Sequence, residues 1–196
     1  MKSVLISIQP KWCELIASGK KTIEVRKTRP KIETPFKCYI YCTHGGGIKG
    51  DVLLKDGHIS KVVCGMVIGE FICDDLLAIE NLKSSFRVKE DEEGEGRLTH
   101  MAATASCMLF SDMKAYLGDK DGWGWGISEL KIYDKPKELS EFSYWLGFIS
   151  DGATDNHGHL KRPPQSWCYV EEKIENQEVS LDYWLGADLD ESIDMS

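Results

Sequence analysis

The chain begins with a strand, a short helix and a second strand within its first 27 residues. Val4–Ile8 is mostly apolar and β-branched, which predicts a buried strand. Pro10 suits the first turn of a helix from about Lys11 to Ser18, and Gly19 suits the end of that helix. Thr22–Lys27 alternates and is rich in β-branched residues, so a second strand is predicted after a tight connection.

Short strands also dominate the rest of the chain. Further strands are predicted at Lys37–Thr43, Val62–Cys73, 122–134 and 165–172, and a helix is predicted within Thr99–Leu117. Residues 44–60 predict a loop or small hairpin, and residues 89–97 predict a charged loop. Several strands with few helices favour an α+β fold, a small mixed β-barrel with flanking helices.

Size and composition fit one globular domain. The chain has 196 residues, and no apolar run approaches the roughly 18 residues that span a bilayer, so no membrane partner is expected. The first residues lack the pattern of a secretory signal. The seven cysteines are odd in number and form no CxxC, which predicts free thiols in a cytoplasmic protein and no structural zinc.

Charge is distributed unevenly. Residues 1–31 carry eight Lys or Arg and two Glu, a net +6, although the whole chain carries −8. This argues against a non-specific nucleic-acid coat and leaves room for one compact basic site. We predict a single domain over 1–175 with an irregular or helical insertion at about 76–120. Residues 176–196 form an acidic C-terminal extension.

Three other motifs are set aside. The segment HGGG (44–47) resembles an esterase oxyanion loop, but no G-x-S-x-G accompanies it. GWGWG (122–126) lacks the spacing of a phosphate-binding loop. DNHGH (155–159) has metal-ligand residue types without a third ligand at helical spacing. Neither a metal nor a cofactor is expected.

The strand at Thr22–Lys27 carries an unusual row of charges. Thr22, Glu24 and Arg26 share one face of this strand, and Lys20 and Lys21 precede it on the turn after the helix. A solvated charged face is one interpretation. The other is a site for an anionic or polar ligand, in which each charge tunes the pKa of its neighbours.

Tryptophans are candidates for the walls of such a site. Trp123 and Trp125 lie two residues apart, so a strand turns both rings to one face. Core packing is the commoner role of such residues, and stacking on a flat ligand is the alternative. Trp12 and Trp167 are further candidates.

The segment IQPKWCELIASGKKTIEVRK (8–27) resembles the signature of ASCH domains, small barrels related to the PUA fold. Their hallmark G-x-K-x-x-E-x-R is met by Gly19, Lys21, Glu24 and Arg26, after a strand, a proline and a short helix. The resemblance covers residues 3–27 well. It implies a β-barrel whose cleft is lined by the motif residues and binds RNA or a modified nucleoside.

Some proteins that this chain resembles hydrolyse the acyl amide of N4-acetylcytidine with a lysine, a threonine and a glutamate. Their lysine matches Lys21, whereas their threonine falls on Glu24. Our leading hypothesis is therefore binding of RNA, a nucleotide or a nucleoside by Lys20, Lys21, Glu24 and Arg26. The alternative is a hydrolase, resembling an N4-acetylcytidine amidohydrolase or a ribonuclease, with Lys21 and Glu24 as catalytic residues. A protein-interaction domain is a third possibility, but it gives no reason for the basic corner.

Overall fold

The structure is a computed structural model, and it describes residues 2–44, 54–55, 58–59, 64–81, 86–88, 104–144 and 159–172. The predicted charged loop at 89–97 and the acidic extension from 176 lie outside the described residues. So do most of the HGGG and DNHGH segments.

Two complete helices, a helical stretch at 104–106 and twelve strands are described. The helices are α1 (Pro10–Ala17) and α2 (Phe110–Leu117), and a 3₁₀ turn spans Leu139–Glu141. The first six strands are β1 (Ser3–Ile8), β2 (Ile23–Arg26), β3 (Phe36–Cys42), β4 (Leu54–Lys55), β5 (His58–Ile59) and β6 (Val67–Cys73). The other six are β7 (Leu76–Asn81), β8 (Phe86–Val88), β9 (Gly122–Gly126), β10 (Ser128–Lys137), β11 (Phe142–Tyr144) and β12 (Trp167–Glu172).

The strands form two main sheets. One has six strands in the order β10-β6-β3-β1-β12-β11, and the other has four in the order β2-β9-β7-β8. Strands β1 and β3 are parallel and the other described pairs are antiparallel, so the larger sheet is mixed. β4 and β5 form a separate antiparallel pair, within the region predicted as a loop or hairpin. The predicted α+β class is confirmed, with its strands divided between these sheets.

The main core lies between the two sheets. Apolar side chains of β1, β3 and β6 pack with Cys13 and Ile16 of α1 and with Trp125 of β9. Trp125 is completely buried. This shared core fixes β9 against the larger sheet, and β2, which pairs with β9, is positioned through it.

The region of the predicted irregular or helical insertion, at about 76–120, begins with a strand. Leu76–Asn81 forms strand β7, which pairs with β9 and with β8. The short apolar run at its start fits a helix or a strand equally well, because periodicity cannot separate the two over so few residues. Helix α2 in the same region agrees with the prediction, and Gly118 ends it with a φ of +68°.

The strand predicted at 122–134 is divided into two. β9 belongs to the four-stranded sheet and β10 to the six-stranded sheet, so the chain changes sheets between them. At this junction the Ile127 amide donates a hydrogen bond to the Thr22 carbonyl (2.9 Å). The apolar positions Trp123, Trp125 and Ile127 are followed by Leu130 and Ile132, so the alternation shifts by one residue just after the junction.

Candidate functional site

The end of helix α1 places the motif. Gly19 adopts a φ of +72°, which glycine allows without the steric penalty of a side chain. The Gly19 amide donates to the Ile16 carbonyl (2.8 Å) and the Lys21 amide donates to the Leu15 carbonyl (2.9 Å). This turn brings Lys21 next to the start of β2.

The three charged motif residues are buried together. Lys21 is 1% exposed, Glu24 is 5% exposed and Arg26 is 6% exposed. Glu24 Oε2 lies 3.3 Å from Lys21 Nζ, and Glu24 Oε1 lies 3.2 Å from Arg26 Nη2. The row is therefore a buried chain of cation, anion and cation rather than a solvated face. Thr22, which precedes the strand, is exposed and stands apart from this chain.

Backbone carbonyls accept hydrogen bonds from the two cations. Lys21 Nζ donates to the Ser106 carbonyl (2.6 Å), and Arg26 Nη2 donates to the Ser7 carbonyl (2.6 Å). These partners lie far away in the sequence, in the segment before α2 and in β1. The charged row thus ties three parts of the fold together, and each charge has a fixed position.

Two atoms of this row are left unsatisfied. Glu24 Oε2 and Arg26 Nε are buried and have no hydrogen-bond partner, although Glu24 Oε2 lies within ion-pair distance of Lys21. A buried polar group without a hydrogen bond costs about 1–3 kcal/mol, and more when it is charged. Such atoms need an explanation, and a bound ligand that supplies the partners is one.

Burial also changes the proton affinity of Lys21. Removal of the ammonium from water lowers the pKa of Lys21, and the nearby Glu24 carboxylate opposes this effect. Lys21 therefore releases its proton more readily than a solvated lysine does.

A cavity of about 470 Å³ opens onto the charged row. Of the residues predicted for the site, Lys21, Glu24, Arg26 and Trp12 line it. The other lining residues in the described part of the chain are Ser7, Gln9, Lys11, Val25, Thr43, Met108, Asp112, Ala115, Tyr116 and Gln165. The lining residues outside the motif region reach the cavity only through long-range packing, and no sequence pattern marks them: Thr43, Met108, Asp112, Ala115, Tyr116 and Gln165.

The other predicted ligand residues lie elsewhere. Lys20 is exposed and is absent from the described lining. Trp125 is buried against Phe36 and Trp167, with ring centroids 5.9 Å and 6.0 Å away. Trp123 and Trp167 are partly buried and pack against the same core. Of the four tryptophans, the structure brings only Trp12 to the wall of the cavity.

Metal-binding clusters and membrane-spanning helices are both absent from the described residues. Within those ranges, no group of three or more His, Cys, Asp or Glu is arranged to bind a metal ion. All seven cysteines are free thiols. In the same part of the chain, no helix has the length and apolar character needed to cross a membrane.

Comparison with known proteins agrees with the motif. Residues 6–68 match the family model of the ASCH domain, which confirms the resemblance. The crystal structure of ASCH from Zymomonas mobilis is 17% identical, with 86% of this chain and 87% of that chain covered and a TM-score of 0.53. A tyrosine-to-phenylalanine mutant of that protein gives 16% identity, coverage of 87% and 91%, and a TM-score of 0.54. These likenesses establish the fold. No curated protein sequence matches the chain.

Proposed function

With residues 6–68 matched to the ASCH domain, we propose that the cavity binds one nucleotide or nucleoside, free or within an RNA chain, including one with a modified base. Glu24, Arg26 and Lys21 are the proposed ligand-binding residues at its floor, and Trp12 is a proposed wall. The exposed Lys20 is proposed to act only at longer range, through its charge.

The unsatisfied pair of Glu24 and Arg26 is the observation that carries this proposal. Glu24 Oε2 can accept one hydrogen bond and Arg26 Nε can donate one. Both atoms are buried while their residues line the cavity, so these side chains must turn toward a ligand to meet it. The edge of a nucleobase presents an amine or ring N–H next to a carbonyl or ring nitrogen. A base edge therefore offers the donor and the acceptor that this pair lacks.

The walls of the cavity suit the rest of a nucleotide. Trp12 and Tyr116 are half-buried aromatic residues on the lining, and stacking on such rings is worth about 1–3 kcal/mol per base. Lys11 is an exposed cation on the same lining and can meet a phosphate. The volume of about 470 Å³ lies within the roughly 300–1,000 Å³ of small-molecule sites.

Arg26→Lys tests the proposal. Lysine keeps the positive charge but lacks the Nε donor and the planar fork of arginine. We expect affinity for cytidine 5′-monophosphate to fall by about 1.5–3 kcal/mol, the scale of a charge-assisted hydrogen bond, measured by isothermal titration calorimetry. The variant is first checked for a cooperative thermal transition.

Lys37→Met is the matched control. Lys37 forms an ion pair with Glu70 at 3.2 Å in the six-stranded sheet, and neither residue is in the described lining of the cavity. Its substitution removes an ion pair of similar length and should leave affinity unchanged. Equal affinity in wild type and folded Arg26→Lys would show that the charged row does not contact the ligand.

Hydrolysis of the same class of ligand is the second candidate function. The observation that favours it is the lowered pKa of Lys21, which burial causes and which makes the amine easier to deprotonate than that of a solvated lysine, as a general base requires. Lys21 and Glu24 would be its catalytic residues, acting on an N4-acylated cytidine or on RNA. Glu24 occupies the place of a threonine in the hydrolases that the motif resembles, and this favours binding without turnover.

Incubation with N4-acetylcytidine separates the two functions. We expect the protein to release little cytidine, because a carboxylate at position 24 does not replace a hydroxyl nucleophile. Product formation is measured by chromatography against a protein-free sample. Rapid turnover that Lys21→Ala abolishes would make the protein an amidohydrolase and reverse the order of the two candidates.

A further inference from the structure

Three exposed cations follow the charged row directly. Lys27, Arg29 and Lys31 lie in the segment that connects β2 to β3, and we call them the basic strip. None of the three forms an ion pair with an acid in the described ranges of the chain. Three exposed cations within five residues form a local concentration of positive charge on a protein whose net charge is −8.

Aromatic side chains hold the first two cations of the basic strip in place. Lys27 Nζ lies 5.3 Å from the centre of the Tyr116 ring, and Arg29 Cζ lies 4.5 Å from the centre of the Trp123 ring. A cation over an aromatic face gains about 0.5–1 kcal/mol at an exposed site. The two charges are thus positioned while their polar groups still face water.

Hydrogen bonds tie the same segment to the six-stranded sheet. Trp167 Nε1 donates to Thr28 Oγ1 (3.1 Å), and the Lys31 amide donates to the Tyr169 hydroxyl (2.7 Å). Both aromatic residues belong to β12 in the six-stranded sheet. The basic strip is therefore preorganised, which lowers the entropy lost when it binds a partner.

The basic strip is continuous with the cavity. Arg26 lines the cavity and Lys27 is the next residue. Tyr116, the ring under Lys27, also lines the cavity. A nucleic-acid strand with one base in the cavity can therefore continue along Lys27, Arg29 and Lys31.

We propose that the basic strip binds phosphates of a single-stranded RNA segment next to the nucleotide in the cavity. This inference rests on the proposed function and makes an RNA chain, rather than a free nucleotide, the preferred ligand. Phosphate contacts position the strand, while the base edge is read in the cavity. The positive charges are too few for non-specific coating and suffice for about three phosphates.

The test compares two ligands, a seven-nucleotide RNA of mixed sequence and cytidine 5′-monophosphate. The triple variant Lys27→Gln, Arg29→Gln, Lys31→Gln should bind the RNA about tenfold more weakly than wild type. The slope of log affinity against log salt should become shallower by about 2, since each single-strand contact contributes about 0.7. Affinity for the mononucleotide should stay unchanged. Fluorescence anisotropy measures the affinity for the RNA, and calorimetry measures the affinity for the mononucleotide.

A triple variant on β10 is the matched control. Lys131→Gln, Lys135→Gln, Lys137→Gln removes the same charge, and Lys137 also lies over a ring, 5.1 Å from the centre of Tyr133. This variant should bind the RNA and the mononucleotide with the same affinities as wild type. Single Lys27→Gln and Arg29→Gln variants should each lower RNA affinity about threefold, which keeps the test valid if the triple variant is unstable.

Different outcomes separate the two proposals. Unchanged RNA affinity in the basic-strip variants would overturn this inference and leave nucleotide binding intact. An equal loss for RNA and mononucleotide would also overturn it, by making the basic strip part of the nucleotide site itself. Wild type that binds neither ligand would remove the proposed function and this inference with it.

Discussion

Glu24→Gln is expected to lower the free energy of unfolding by about 3–5 kcal/mol, the usual cost of breaking a buried ion pair by removing one partner. Glu24 is the only anion between Lys21 and Arg26 in the described part of the row, at 3.3 Å and 3.2 Å. Glutamine keeps the shape and leaves both buried cations uncompensated. Urea denaturation of the two proteins at pH 7 measures the difference. Glu33→Gln, at an exposed position, controls for the lost charge.

The pH dependence of this loss identifies its cause. Burial already lowers the pKa of Lys21, and removal of Glu24 takes away the interaction that opposes this effect. The unfolded chain then binds more protons than the folded one at any pH between the two pKa values, so stability rises with pH in that range. The deficit of Glu24→Gln should therefore shrink as the pH rises toward the ordinary pKa of a lysine side chain. A variant as stable as wild type at pH 7 would contradict the buried ion chain.

Trp125→Ala should also lower the free energy of unfolding strongly, by about 3–5 kcal/mol, which is the range for deletion of a buried aromatic side chain. Trp125 is 0% exposed, and its ring meets Phe36 and Trp167 at centroid distances of 5.9 Å and 6.0 Å. Its Nε1 has no hydrogen-bond partner, so a small part of the loss is recovered when that buried donor is removed. Thermal and urea unfolding measure the change.

Trp12→Ala is the comparison for this prediction. Trp12 is half-buried on the wall of the cavity, so its removal should weaken nucleotide binding and reduce stability less than Trp125→Ala. A Trp125→Ala variant that is as stable as wild type and binds nucleotide poorly would contradict this prediction. It would show that Trp125 belongs to the ligand site and not to the core. The two tryptophans thus separate packing from stacking.

The sequence predicted the local part of this fold well. The first strand and helix α1 lie within one residue of their expected limits, because an apolar run, a proline and a glycine mark them. The alternation in β2 correctly placed Glu24 and Arg26 on one face. Alternation cannot say which face is covered, and so burial of the charges was not predictable from it.

Contacts between distant segments could not be predicted from the sequence. The carbonyls of Ser7 and Ser106 bind the two cations, yet a backbone carbonyl has no sequence signature. Trp123 and Trp125 do share a face of β9. In the register of β2 and β9, Trp123 pairs with Arg26 and Trp125 pairs with Glu24. Their unequal burial follows from the six-stranded sheet packed over Trp125, and the sequence did not reveal that packing.

A crystal structure of the protein soaked with cytidine 5′-monophosphate tests the central claim most directly. We expect the nucleotide in the cavity, with its base edge within about 3.2 Å of both Glu24 Oε2 and Arg26 Nε. Its ring should lie against Trp12 or Tyr116. A nucleotide bound elsewhere at saturating concentration, with the cavity empty and both atoms still unsatisfied, would contradict the account.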